Sequence, residues 1–270
     1  MNLNDSAKSR GVVVFAFNTN VNYVQIADCT SRLIAHHLHL PITLITDHDS
    51  DPKFDYDQII RIDPQGDTWR IGDVTNRWRN FGRYLACELS PYYETILLDT
   101  DYLVFDDSLL KLFETEFDYK LMHYTRTPDN LNFGDMGEIS LPFVWATVVL
   151  FRKTLRTQTF FNLIGRIQRN YNYYRMLYNI REGNYRNDYA FAIANNIISG
   201  YSLNEQQSIP WKMLTVNDTI ERIRLTDTQI LIYHKDQGVV IPYQNVHVMD
   251  KVYLQSRDFE QVVEAICEPA

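Results

Sequence analysis

The sequence is short of cysteine, of long apolar runs and of positive charge, and each shortage removes a class of protein. Its three cysteines, Cys29, Cys87 and Cys267, are scattered, odd in number and without CxxC spacing. That pattern argues against a disulfide framework, a zinc ribbon and a redox pair. No stretch approaches the roughly 18 consecutive apolar residues of a membrane span. The N-terminal Asn2, Asn4, Asp5 and Ser6 are not the apolar run of a signal peptide, so the expectation is a soluble, cytoplasmic protein. Lys and Arg number 26 against 34 Asp and Glu, and the net charge of −8 gives no general attraction to nucleic acid or anionic lipid. Internal repeats and low-complexity linkers are also missing, so residues 1–270 read as one domain. The composition that remains, 45% hydrophobic and 22% charged, is globular and sufficient for a sizeable core.

The first half alternates between strand and helix patterns. Gly11 to Phe17 is a compact apolar run of buried-strand length, followed by the polar turn Asn18-Thr19-Asn20. Apolar residues then recur at helical spacing from Tyr23 to Leu40, and Pro41 ends the helix. Ile42 to Thr46 is a second buried strand and Gln58 to Ile62 a third. Asn76 to Leu89 predicts a helix, and Thr95 to Leu98 another buried strand. This order implies an α/β fold with a mainly parallel sheet covered on both faces, and with ligands outside the carboxyl ends of its strands. The second half is less regular. It offers strands at Lys120 to Tyr124 and Val144 to Phe151, a polar loop from Thr125 to Ser140 between them, and a long helical stretch afterwards.

The sharpest chemical signal is Asp99-Thr100-Asp101, which ends the apolar strand Ile96-Leu97-Leu98. Carboxylates two residues apart on extended chain point to one side, and hard oxygen ligands suit magnesium or manganese bound together with substrate phosphates. The same triplet also fits a strand-end turn with solvated acids. Paired aspartates serve nucleotidyltransferases too, but those normally want a third carboxylate and a glycine-rich phosphate loop, and Asn18-Thr19-Asn20 is not one.

Asp-Thr-Asp-Tyr-Leu-Val (Asp99 to Val104), followed by Leu112-Phe113-Glu114, resembles the core of the glycogenin-like glycosyltransferases. Thr19-Asn20-Val21-Asn22-Tyr23 is similar to the T-N-x-x-Y segment with which that family contacts uridine, and Arg83 lies where it carries a basic residue on the donor. His247-Val248-Met249-Asp250-Lys251 looks like a shortened H-x-x-G-x-x-K-P-W element, which supplies a metal ligand and a lysine to the diphosphate. The resemblance implies a GT-A-type, Rossmann-like domain with a donor half over about 11–124 and an acceptor half over about 125–270. It implies a UDP-sugar donor, manganese or magnesium on Asp99, Asp101 and His247, and retention of anomeric configuration. Donor contacts would come from Phe17, Asn18, Thr19, Asn20, Tyr23, Thr46, Asp47, Arg83, Thr100 and Lys251, with Asp188, Arg83 and Lys251 in catalytic roles. Asp188-Tyr189 keeps the carboxylate of the family's Asp-Gln pair and loses the amide. Trp145-Ala146-Thr147 replaces its N-S-G turn, and the C-terminal element lacks its glycine and Pro-Trp. Donor sugar and acceptor are therefore not inherited, and a non-catalytic nucleotide-sugar binder on the same fold is the alternative.

Each of these positions has a plainer reading. Tyr23 also fits a core aromatic, Arg83 a solvated helix residue, and His234 competes with His247 as the nitrogen ligand. Between Phe151 and Arg186, Arg152, Lys153, Arg156, Arg166, Arg169, Arg175, Arg181 and Arg186 face one acid, Glu182, with tyrosines at 171, 173, 174, 178 and 185 among them. This segment reads as an amphipathic helix, or as a surface for a nucleic-acid acceptor such as a hydroxymethylated base. A saccharide acceptor fits aromatic side chains equally.

Overall fold

The computed structural model describes residues 9–64, 66, 68–70, 76–129, 141–181, 183–202, 205–234 and 237–267. Most of the expected loop to Ser140, together with Glu182 and Lys235, lies outside the described residues.

In chain order the elements are β1 (Arg10–Phe15), α1 (Tyr23–Leu38), β2 (Ile42–Thr46), β3 (Gln58–Arg61), β4 (Thr68–Arg70), β5 (Asn76–Trp78), α2 (Ala86–Leu89), β6 (Glu94–Leu98), β7 (Tyr102–Leu103) and α3 (Ser108–Lys111). There follow β8 (Tyr119–Met122), β9 (Thr125–Arg126), β10 (Trp145–Arg152), α4 (Leu155–Arg169), α5 (Tyr171–Leu177) and α6 (Asn187–Ile198). The chain ends with β11 (Met213–Val216), β12 (Arg222–Leu225), β13 (Gln229–His234), β14 (Gln237–Pro242), β15 (Val246–Val248), α7 (Lys251–Leu254) and α8 (Arg257–Cys267). Among the described residues no helix is long and apolar enough to cross a membrane.

The central sheet runs β3-β2-β1-β6-β10-β8. Its first four strands are parallel, with Val12 opposite both Ile42 and Ile96, whereas β10 enters antiparallel between β6 and β8. Both faces are covered, so β1, β2 and β6 are buried along nearly their whole length and centre on apolar residues. Alternation divides their side chains: Val13, Phe15, Leu97 and Val149 pack on α4 and α6, while Val12, Val14, Leu98 and Val148 pack on α1. The opposite face of α1, through Ile26 and Leu33, joins Phe259 and Val263 of α8 in a third cluster with β12 and β13.

Asn22 caps α1 by accepting from Gln25 N–H, and the helix ends at Leu38 because His39 turns left-handed with φ 50°. Pro41 lies beyond that stop. The helix expected over Asn76 to Leu89 is corrected: Asn76–Trp78 pairs with Thr68–Arg70 as a hairpin, and helical turns begin only at Gly82. Tertiary pairing here overrides local pattern. The second half also contributes to a small sheet, β7-β15-β11-β9, and forms an antiparallel sheet, β12-β13-β14. The small sheet positions the site.

Candidate active site

At the carboxyl end of β6 the chain does not continue extended, as expected for Asp99-Thr100-Asp101, but turns, with Tyr102 N–H donating to the Asp99 carbonyl. The two carboxylates therefore meet different cations, although both line one pocket. Asp99 Oδ1 accepts from Arg83, whose guanidinium is wholly buried and also donates to the Ala146 carbonyl. This removes the reading of Arg83 as a solvated helix residue. Asp101 Oδ2 is ion-paired with Lys251 Nζ at 2.5 Å and lies 3.5 Å from His247 Nε2.

Strand pairing explains the second grouping. β15 runs antiparallel to β7 with His247 opposite Tyr102, and Val248 N–H donates to the Asp101 carbonyl, which brings the imidazole beside the carboxylate. Asp250 then caps α7 by accepting from Val252 and Tyr253 N–H, so Lys251 starts a helix turned back toward Asp101. His234 is on β13 and does not line this pocket.

The electrostatics follow. Burial and the neighbouring carboxylates of Asp101 and Asp188 push the Asp99 carboxyl up, against the pull of Arg83. Burial opposes ionisation of Asp101 too, but Lys251 and His247 outweigh it and hold that carboxyl far below the usual range.

Opposite these groups, Asp188 in the first turn of α6 accepts from Ala146 N–H at 3.1 Å and from Arg186 at 3.2 Å. Phe17, Tyr23 and Thr100 also line the pocket. Tyr23 is half-buried, packs on the α1 clusters and also lines the pocket. Asn18, Thr19, Asn20, Thr46 and Asp47 are not brought into it. Asn18 Oδ1 accepts from Val24 N–H, Thr19 closes a local turn, Thr46 Oγ1 donates to the Ala16 carbonyl, and Asp47 accepts from Ser50. Sequence reasoning missed Phe15, Arg79, Asn80, Asn187 and Met249, which line the same pocket. Arg186 was noted only for its charge, and its place two residues from Asp188 was the available signal.

Among the described residues no cluster of three or more His, Cys, Asp or Glu side chains is arranged to hold a metal ion. Asp101 Oδ1 is nevertheless buried without a hydrogen-bond partner, and an orphaned carboxylate oxygen beside an imidazole nitrogen fits two ligands of a hard divalent cation. Asp99, the third expected ligand, lines the same pocket with its Oδ1 engaged by Arg83.

The Arg/Tyr-rich segment gives no support to a nucleic-acid acceptor. Tyr171, Tyr178 and Tyr185 are core residues, Arg152 pairs with Glu94, Lys153 donates to the Ser90 carbonyl, and Arg186 pairs with Asp188. Arg156, Arg166, Arg169 and Arg181 are exposed, and of the five tyrosines Tyr173 is the one most open to solvent, at 65%.

No family model and no curated protein sequence matches this chain. Among solved structures it is similar to the apo-form glycosyltransferase GlyE of Streptococcus pneumoniae TIGR4, at 16% identity over 75% of this chain and 45% of that one, with a TM-score of 0.40. It is also similar to the galactosyltransferase LgtC in complex with donor and acceptor sugar analogs, at 17% identity over 70% of each chain, with a TM-score of 0.47. The chain spans less than half the length of GlyE.

Proposed function

We propose that this protein is a nucleotide-sugar-dependent glycosyltransferase related to the glycogenin-like enzymes, with a UDP-sugar donor and Asp101 at the centre of its diphosphate site. The observation that carries the reading is the orphaned, buried Oδ1 of Asp101, which shares one pocket with Lys251, His247, Asp188 and Tyr23. A second carboxylate, Asp99, lines the same pocket and is paired with Arg83.

In this reading Phe17 and Tyr23 flank the base and Lys251 moves from Asp101 to the diphosphate. Asp188 faces the transferred sugar, oriented by Ala146 N–H and Arg186. Arg83 acts through Asp99 rather than on the donor, since two of its nitrogens are committed inside the protein. Asp101 and His247 would hold manganese or magnesium, which when bound supplies Lewis-acid stabilisation of the departing diphosphate. The bond from the anomeric carbon to the diphosphate oxygen breaks and the acceptor oxygen bonds to that carbon. The acceptor proton passes to the leaving diphosphate, on the face that retains configuration. Fixed cations placed where negative charge develops are the main source of acceleration.

Thermal unfolding with a panel of nucleotide sugars, with and without manganese, tests this, because a ligand of the native state raises the melting temperature. A metal-dependent rise with UDP-sugars, accompanied by UDP release, is expected. A rise without UDP release, whatever acceptor is added, would establish the non-catalytic binder instead. No rise with any nucleotide sugar removes the donor assignment.

A further inference from the structure

A second groove adjoins the candidate active site through shared walls. Asn80 and Asn187 line the first pocket, while their neighbours Phe81 and Tyr185 line the second. The partition is rigid: the Phe81 and Tyr185 rings stack at 5.3 Å, Tyr185 Oη donates to Asn187 Oδ1 at 3.1 Å, and Asn187 Nδ2 donates to the Asn80 carbonyl at 2.9 Å. At this border Asn80 Oδ1 is buried with no hydrogen-bond partner. A buried orphan amide oxygen in a pocket wall marks a place for a ligand donor.

The second groove has its own chemistry. Its lining is rich in amides, Gln168, Asn170, Asn172 and Asn184, with Tyr173 beside them 65% exposed and, among the described residues, Arg169 as the cation that lines it; Asn170 Nδ2 donates to the Arg166 carbonyl and Asn172 Oδ1 accepts from Arg175. No carboxylate lines it among the described residues. Amides that donate and accept together, next to an open aromatic ring, match vicinal hydroxyls on a pyranose or furanose ring. A nucleic-acid strand would require several phosphate-binding cations along its path, and among the described residues one, Arg169, lines the groove.

We propose that this groove is the acceptor subsite and that the acceptor is an oligosaccharide. Its reacting hydroxyl passes Asn80 into the first pocket, and its further rings lie across Tyr173, Asn172 and Asn184. The proposal rests on the glycosyltransferase reading and adds to it the acceptor class and the direction of entry. Asn80 is a specificity residue at the border, donating to or accepting from a hydroxyl of the ring that carries the nucleophile.

The test measures UDP release from UDP-sugars with water alone, then with defined di- to tetrasaccharides, then with single-stranded and duplex oligonucleotides containing hydroxymethylcytosine. One or more oligosaccharides is expected to accelerate release. Tyr173→Ala and Asn172→Ala, both outside the donor pocket, should raise the KM for that saccharide roughly tenfold, while kcat and release to water stay unchanged. Unchanged KM in both variants overturns the subsite. Acceleration by oligonucleotides alone, or by no acceptor while release to water persists, overturns the saccharide assignment. No UDP release and no donor-induced rise in melting temperature in the unaltered protein would bring down the underlying glycosyltransferase reading, which separates that failure from the others.

Discussion

The guanidinium of Arg83 is sealed inside the protein with Asp99 as its counter-ion, while the Asp99 side chain keeps 31% of its surface open to the pocket. One end of the pair is structural and the other faces the site. Breaking a buried pair from one side leaves a charge without compensation and typically costs about 3–5 kcal/mol. Arg83→Met should therefore lower the free energy of unfolding by roughly 3 kcal/mol, toward the lower end of that range because Asp99 is partly solvated. Urea unfolding measures this. The double variant Arg83→Met/Asp99→Leu should be destabilised by less than the sum of its single variants. Additive losses would show that the two side chains act independently.

Asp188 has both carboxylate oxygens occupied by protein donors, Ala146 N–H and Arg186, so its orientation is set before any ligand arrives. Asn at this position presents an amide hydrogen to one of those donors and rotates away. Asp188→Asn should lower kcat by about a hundredfold, the scale of one preorganised electrostatic contact in a reacting site. Affinity for UDP without the sugar should stay within about twofold, since the nucleotide side of the pocket is untouched. Steady-state kinetics with UDP titration calorimetry measures both. A parallel loss of UDP affinity would place Asp188 on the nucleotide side.

The buried strands were legible because apolar residues point to both faces within each, as in Ile42–Thr46 and at Ile96-Leu97-Leu98 of β6. Asp99 and Asp101 were legible for a related reason, since their charge stands out at the end of such a run. The small sheets were not: β7 and β9 have two residues each and β15 three, too short for any period to register. That loss reached the site, because the pairing of β15 with β7 is what sets His247 beside Asp101. Asn76–Leu89 misled because its hairpin partner, Thr68–Arg70, carries no local signal of pairing. The ion pairs of Arg83 and Lys251 span 16 and 150 residues, respectively, and nothing in either local sequence announces them.

His123 is largely enclosed, with Nδ1 at 3.0 Å from the Phe143 carbonyl, and burial pushes its imidazole below the ordinary value against the pull of that carbonyl. In the unfolded chain the same group binds a proton near pH 6.5. Below about pH 6.5 the unfolded state therefore carries protons that the folded state does not, and stability falls as pH falls. Above that pH this residue contributes no slope. His37, lowered by burial and by His36, acts in the same direction. His123→Gln should flatten the rise of unfolding free energy between about pH 5 and pH 7, measured by denaturant titration at each pH. An unchanged slope would assign the pH dependence to His37 or to the carboxylates of the site.

Gly11 in β1 has an ordinary backbone, since Gly200 is the glycine with positive φ among the described residues. Replacing such a glycine with alanine would by itself stabilise the fold by about 0.4–1 kcal/mol through the unfolded chain. Its surroundings reverse the sign. A Cβ at Gly11 would lie 2.4 Å from Cε2 and Cζ of Tyr92, and that ring is tethered by the 2.9 Å hydrogen bond between Tyr92 Oη and Thr43 Oγ1. The ring cannot retreat without breaking a buried bond, so Gly11→Ala should destabilise by about 1–3 kcal/mol, the usual cost of overpacking. Gly11→Ala/Tyr92→Leu should be less destabilised than the two single changes added together, because the smaller side chain removes the collision. If Gly11→Ala instead raises the unfolding midpoint, the ring moves freely and the close approach of Tyr92 is not what keeps glycine in this strand.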